Sequence, residues 1–184
     1  HMLTLIDYPS VSGINGVPWD AVELPSQFME NFAWDREVIR EMSQHVETGD
    51  SLPDDLLEKL EASRVFQAGM QMVRQLEFSL FDWRIHSEYD PAQGARIYEI
   101  LDQVRSKVAV MQGPAYTRFA NSFAHVFGGG YAAGYYSYKW AEVLAADAFA
   151  AFQETSLFDR GVANRFRAAI LEVGGAADIA VAFE

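Results

Sequence analysis

Two groups of side chains in this sequence have the types and spacing to do chemistry. Glu23 and Glu30 lie seven apart in the run Trp19-Asp20-Ala21-Val22-Glu23-Leu24-Pro25-Ser26-Gln27-Phe28-Met29-Glu30-Asn31. On a helix that spacing puts both carboxylates on nearly one face, about two turns apart. A carboxylate is a candidate metal ligand, whereas the ordinary reading of two helical glutamates is a solvated acidic edge. The second group lies in Phe123-Ala124-His125-Val126-Phe127-Gly128-Gly129-Gly130-Tyr131-Ala132-Ala133-Gly134-Tyr135-Tyr136-Ser137-Tyr138. Tyr131, Tyr135 and Tyr138 fall at i, i+4 and i+7, which on a helix aligns three phenols along one stripe and sends Tyr136 elsewhere. Aromatic stripes at helical spacing are more often core than site. Three hydroxyls on one line weaken that reading, because every buried phenol needs a hydrogen-bond partner. The triple glycine lets backbone approach a ligand closely and take up conformations closed to other residues.

The histidines are His1, His45, His86 and His125, and no two are four apart. A zinc helix of the H-E-x-x-H type needs imidazoles at i and i+4, with a carboxylate and a water completing the shell. Glu23 therefore has no paired imidazoles to join within this chain. His86, in Trp83-Arg84-Ile85-His86-Ser87-Glu88, reads as a satisfied structural imidazole, and His45 as a dipole-compensating residue at a polar helix end. The turn Gly13-Ile14-Asn15-Gly16 offers either a strand edge for an extended peptide or an ordinary hairpin turn.

Composition narrows the class. Fourteen Lys plus Arg against 26 Asp plus Glu leave a formal charge of -12, which repels nucleic acid and anionic membrane surfaces. No cysteine is present, so neither a disulfide framework nor thiolate chemistry is available. No stretch approaches the ~18 apolar residues of a membrane span. With half of its 184 residues hydrophobic, the chain can bury roughly 70% of its unfolded surface. The expectation is a cytoplasmic-type globule with no nucleic-acid or membrane partner.

The elements that must position these groups are mostly helices. Pro9, Gly13, Gly16 and Pro18 interrupt the first twenty residues, a pattern of short extended segments and turns. One helix is expected from Glu23 to about Met42, and Ser51 with Pro53 opens a shorter one carrying Leu56, Leu57 and Leu60. Phe66, Met70, Val73, Leu76 and Leu80 form an apolar stripe on a long helix running toward Ile85. Asp90-Pro91 introduces a helix carrying Ile97, Ile100, Leu101, Val104 and Val108, ended by Gly113-Pro114. After the glycine run a helix is expected over about Tyr131 to Gln153, and Asp159 caps the last one.

The Trp19 to Asn31 run resembles, nearly residue for residue, a segment of the thimet oligopeptidase and oligopeptidase A family of zinc metallopeptidases, the segment that supplies the metal's third protein ligand. The Phe123 to Trp140 block is similar to that family too, and the resemblance extends over essentially the whole chain. It implies a mainly α, multi-helix C-terminal part of a zincin-like oligopeptidase catalytic domain, one partial domain over residues 1–184 with a short extended or β region near the N-terminus. On this resemblance Glu23 is the metal ligand, and Glu30 is an acceptor that orients a ligand histidine. His125 contacts substrate, Tyr138 is the foremost oxyanion donor and Tyr131 the loop-borne one, while Tyr135 and Gly128, Gly129 and Gly130 bind substrate. Zinc is the implied cofactor of a parent protein that hydrolyses short peptides. In the family the zinc helix lies just upstream, so the chain is expected to be inactive alone, to partner the missing N-terminal part of the parent, and to self-associate as a homo-oligomer through the apolar surface so exposed. The alternative is a non-catalytic helical binding or self-associating module that kept a peptidase-like fold.

Overall fold

A computed structural model describes residues 1–182. Its longer helices are α1 (Trp19–Val22), α2 (Leu24–Glu30), α3 (Arg36–Met42), α4 (Asp54–Val65), α5 (Ala68–Ser87), α6 (Ile97–Val108), α7 (Phe119–Ser122), α8 (Ala124–Phe127), α9 (Ser137–Gln153), α10 (Arg160–Phe166) and α11 (Ile179–Ala182). The fold is mainly α, with no strand among the described residues. The described residues divide into two compact units, one of residues 1–63 with 140–182 and one of residues 64–139.

The first unit is organised by aromatic rings. Phe28 of α2 stacks on Phe166 of α10 at 4.2 Å and meets Phe152 of α9 at 5.3 Å, while Phe32 lies edge-on to Phe149 at 5.2 Å. Leu24, Ala145 and Val162 close the cluster. Glu23 to Met42 is not one continuous helix. Asp35 interrupts it, accepting from the backbone N–H groups of Glu37 and Val38 at 2.9 and 3.1 Å and so capping α3, because a short carboxylate competes with the helical ladder for those donors. Arg36 and Arg40 of α3 pair with Glu61 and Asp54 of α4. Both acids are held below their ordinary pKa, first of all by the hydrogen bond from their arginine.

The extended or β region expected near the N-terminus takes another form. Gly13 and Gly16 have φ of 63° and 74°, and successive bonds Val11 N–H to Tyr8, Asn15 N–H to Ser12 and Val17 N–H to Ile14 wind the segment into turns. Its outward-facing groups are satisfied by the end of the chain instead of a partner strand. Leu5 N–H donates to the Glu172 carbonyl at 3.0 Å and Gly175 N–H to the Val11 carbonyl at 2.9 Å. The approach is close enough that a Cβ on Gly175 would stand 2.4 Å from the Asn15 carbonyl oxygen.

In the second unit α5 packs along α6, burying Phe81 and Ile85 against Ile100, Leu101 and Val104. The helix turns a different face inward from the one its apolar stripe suggests. Leu76 and Leu80 are 45% and 42% exposed, whereas Glu77 and Asp82 lie on the buried side. Glu77 is neutralised there by Arg74 and by Arg105 of α6, each 2.8 Å from the same carboxylate oxygen. The stripe also loses Phe66, since Gln67 takes a left-handed φ of 53° and separates α4 from α5.

The two faces of α5 should respond differently to truncation. Phe81→Ala is expected to lose about 3–5 kcal/mol of unfolding free energy by leaving a cavity. Leu76→Ala should stay within about 0.5 kcal/mol, as exposed positions do. Urea unfolding of the two variants measures both, and equal losses would place the stripe inside the core.

Candidate functional site

The second unit gathers the histidine, the glycines and the tyrosines into one cluster. α8 carries His125, and the chain then folds back on it. Gly128 and Gly129 N–H both donate to the Ala124 carbonyl, at 2.8 and 2.7 Å, and Tyr131 N–H donates to the His125 carbonyl at 3.0 Å. Glycine is required twice in this return. Gly130 has φ of 89°, and a Cβ on Gly129 would lie 2.9 Å from the His125 Cα.

Tyr131 and Tyr135 are not helical residues. α9 begins at Ser137, and residues 132–136 form turns in which Ala133 takes a φ of 55°. The phenols converge nonetheless. Tyr131 stacks on Tyr138 with ring centroids 5.0 Å apart, and Tyr135 lies 5.1 Å from Tyr138. The His125 imidazole stands 5.9, 5.8 and 6.2 Å from the rings of Tyr131, Tyr135 and Tyr138. His125 itself is exposed and Tyr131 and Tyr138 half-buried, so the cluster meets solvent on the imidazole side. Tyr136 is 40% exposed.

The three phenols have different surroundings. Tyr135 is 9% exposed, wedged against Phe123 and Phe78 at 5.1 and 5.8 Å, and its hydroxyl donates to Gln75 Oε1 at 3.1 Å. Burial raises its pKa above 10.0, helped by the neighbouring Tyr138. Its backbone is held as firmly as its ring. Asp82 of α5, 1% exposed, accepts from Ala133 N–H through Oδ1 and from Tyr135 N–H through Oδ2, both at 2.9 Å. His86, one turn later on α5, places Nδ1 2.9 Å from Asp82 Oδ1 and 2.8 Å from the Asp82 carbonyl oxygen.

Asp82 and Gln75 escaped the reading of the sequence. The signal for Asp82 was present as an acid four residues before His86 within an apolar run. What was missing was the turn it holds, 51 residues away at its nearer N–H.

In the first unit Glu23 sits between α1 and α2 as the N-terminal cap residue of α2. Ser26 Oγ donates to its Oε2 at 2.7 Å and to its carbonyl at 3.0 Å, so the carboxylate is oriented by its own helix. Glu30 ends α2 and is exposed. Among the described residues no three His, Cys, Asp or Glu side chains converge as a metal shell. One oriented carboxylate suits zinc as a ligand, but the donor set of residues 1–182 does not complete a tetrahedral centre.

Tyr135 provides a pH test of the cluster. The fold holds the neutral phenol, so the folded pKa exceeds the unfolded one. The associated stability is complete below the unfolded value and is lost as pH rises through the folded value. In an alkaline titration followed by near-ultraviolet absorbance, Tyr135 should ionise late, above the ordinary range of a phenol. Tyr135→Phe should delete the late step, and a titration unchanged by that substitution would contradict the burial assigned to this phenol.

Comparison with known proteins agrees with the resemblance in the Glu23 and His125 segments. Residues 1–184 match the model of peptidase family M3. Oligopeptidase A of Salmonella typhimurium is 54% identical over 175 residues, covering 95% of this chain and 26% of the relative. The probable cytosolic oligopeptidase A of Arabidopsis thaliana is 48% identical over 179 residues, with 95% and 26% covered. Dipeptidyl carboxypeptidase of Escherichia coli is 36% identical over 174 residues, with 94% and 25% covered. The chain thus spans about a quarter of the length of these curated relatives, and it belongs to peptidase family M3.

Proposed function

We propose that this chain is part of a zinc-dependent, cytoplasmic oligopeptidase that hydrolyses short peptides. The observation that carries the proposal is the convergence of His125, Tyr131 and Tyr138 beside a glycine loop in a chain of the M3 family. Tyr138 Oη donates to the oxygen of the scissile carbonyl as negative charge develops on it, and Tyr131 supplies a second donor from the loop. A preorganised phenol is effective there, because no dipole has to reorient during the reaction. His125 contacts the peptide from the solvent side. Tyr135 and Gly128, Gly129 and Gly130 form the wall, the glycines letting peptide backbone approach without a Cβ in the way.

Glu23 is our candidate zinc ligand, its carboxylate oriented by Ser26, and Glu30 orients an imidazole ligand. The remaining ligands and the general base come from the rest of the parent, in keeping with a chain covering about a quarter of its relatives' length. The exposed α5 stripe of Leu76 and Leu80 is the surface we assign to that remainder, and in the isolated chain it promotes self-association.

Two outcomes follow. The isolated chain should bind zinc weakly and turn over no peptide, since one carboxylate cannot replace a full ligand set. Zinc-dependent cleavage of a quenched-fluorescent peptide that survives repurification and disappears in Glu23→Ala would overturn this.

In the parent, Tyr138→Phe should lower kcat on the order of 10²–10³-fold with KM little changed, because the lost hydrogen bond exists only in the transition state. Tyr136→Phe should be nearly silent. An intact kcat with reduced thermal stability in Tyr138→Phe would make the phenols core and favour a non-catalytic binding module.

A further inference from the structure

The carboxylate of Asp82 is almost fully buried, and it meets the backbone of the tyrosine turn and the His86 imidazole. Its two oxygens take one backbone N–H each, from Ala133 and from Tyr135, so the acid straddles Gly134. Gly134 N–H in turn donates to the Tyr131 carbonyl at 2.9 Å. On the far side, Tyr138 N–H reaches the Tyr135 carbonyl at 3.4 Å and Ser137 N–H the Gly134 carbonyl at 3.1 Å, which starts α9. The backbone bearing all three phenols is therefore tied, directly or one hydrogen bond removed, to a single side chain of α5. Ala133 needs such a tie, because a φ of 55° is disfavoured for a residue with a Cβ and persists only where its surroundings determine it.

The chemistry of the group is specific. Two N–H donors aimed at two oxygens of one side chain are matched by a carboxylate and not by its amide isostere, whose NH₂ would confront one of the donors. His86 Nδ1, within 2.9 Å of Oδ1, fixes the rotation of the carboxylate, and Phe81 and Ile85 on either side anchor this stretch of α5 in the core. The device resembles the outer hydrogen bonds that orient ligands and catalytic groups elsewhere, where a shift of an ångström is costly in rate.

We propose that Asp82, oriented by His86, is the positioning residue of this site: its carboxylate sets the Ala133–Tyr135 turn and thereby the placement of the Tyr131 and Tyr138 hydroxyls toward the reacting carbonyl. This rests on the reading of Tyr138 as an oxyanion donor. Asp82 does not touch substrate and acts only through the phenols.

The test is a double-mutant cycle in the parent enzyme with D82N and Y138F, assayed on one short peptide. D82N should lower kcat about tenfold or more while KM stays within about twofold, and its effect should shrink well below that in the Y138F background, because only the Tyr131 phenol is then left to position. Losses that multiply, or a D82N effect confined to KM, would overturn the proposal. If D82N does not fold, D82E retains both acceptors but displaces them by one methylene, and the same kcat-selective, non-additive loss is expected; an unchanged kcat in D82E would overturn it.

Amide hydrogen exchange separates this proposal from the oxyanion reading. The Ala133 and Tyr135 N–H groups should be protected in the unaltered protein and released in D82N or D82E. Protection at both sites together with a silent Y138F would refute the oxyanion role, and with it the catalytic purpose of the clamp. Unprotected amides beside a kcat-impaired Y138F would refute the clamp alone.

Discussion

A carboxylate withdrawn from water must have its lone pairs met by donors, and the arrangement of the second unit follows from how Asp82 meets that requirement. Desolvating an unpaired charge costs more than any nearby apolar contact returns. The turn after the glycine loop delivers two N–H groups to it, and His86 delivers a ring nitrogen. The same bonds satisfy the turn, whose amides would otherwise be left without partners near the core. One interaction thus closes two accounts of hydrogen bonding, and the tyrosines follow because they are attached to the backbone so held.

Glu77 repeats the principle five residues earlier. Arg74 and Arg105 both reach its Oε1, and Arg74 also covers the Phe78 ring at 4.3 Å, so a guanidinium is sandwiched between an acid and an aromatic face. These two acids explain why α5 buries a face that contains charge and exposes one that contains leucine. Apolar side chains lose a limited amount by facing water, on the order of 25 cal/mol per Å² of exposed apolar surface, whereas Glu77 and Asp82 find Arg105 and the Ala133 and Tyr135 N–H groups on the inward side. The inward face of α5 thus combines Phe81 and Ile85 in the apolar core with two acids whose hydrogen-bonding needs are met there.

Signals that depended on neighbours in sequence survived in part. Asp159 caps α10, accepting from Gly161 and Val162 N–H. The 97–108 periodicity is α6 with its apolar residues inward, while α4 opens at Asp54, so that Pro53 flanks the helix instead of lying in its first turn. Asp90-Pro91 does not open α6 as expected: Asp90 accepts from Ala92 N–H in a separate turn, and the helix starts at Ile97. Predictions failed where a side chain, near or distant in sequence, competed with the helical ladder for backbone N–H groups. Residues 23–42 lose helical continuity at Asp35, a local cap that periodicity overlooked. Residues 131–136 read as helix and are turns, because Asp82 draws two of their N–H groups out of the ladder. The i, i+4, i+7 spacing therefore identified the right three tyrosines by the wrong geometry: they meet by stacking across a turn, not along a helical face.

By itself the sequence determined a helical protein with a net negative charge, no internal pair of histidines four apart, a candidate ligand at Glu23, and a family resemblance carried by the Glu23 and His125 segments. These are matters of composition, local hydrogen bonding and motif, and they need no knowledge of the rest of the chain. Tertiary structure alone decided which face of α5 is buried, that the Tyr135 hydroxyl is occupied by Gln75 while His125 remains exposed, and that Asp82 governs the turn. Each of these joins residues dozens of positions apart. Their energies depend on desolvation and on the meeting of specific donors with specific acceptors, quantities that come into being only once the chain has brought the partners together.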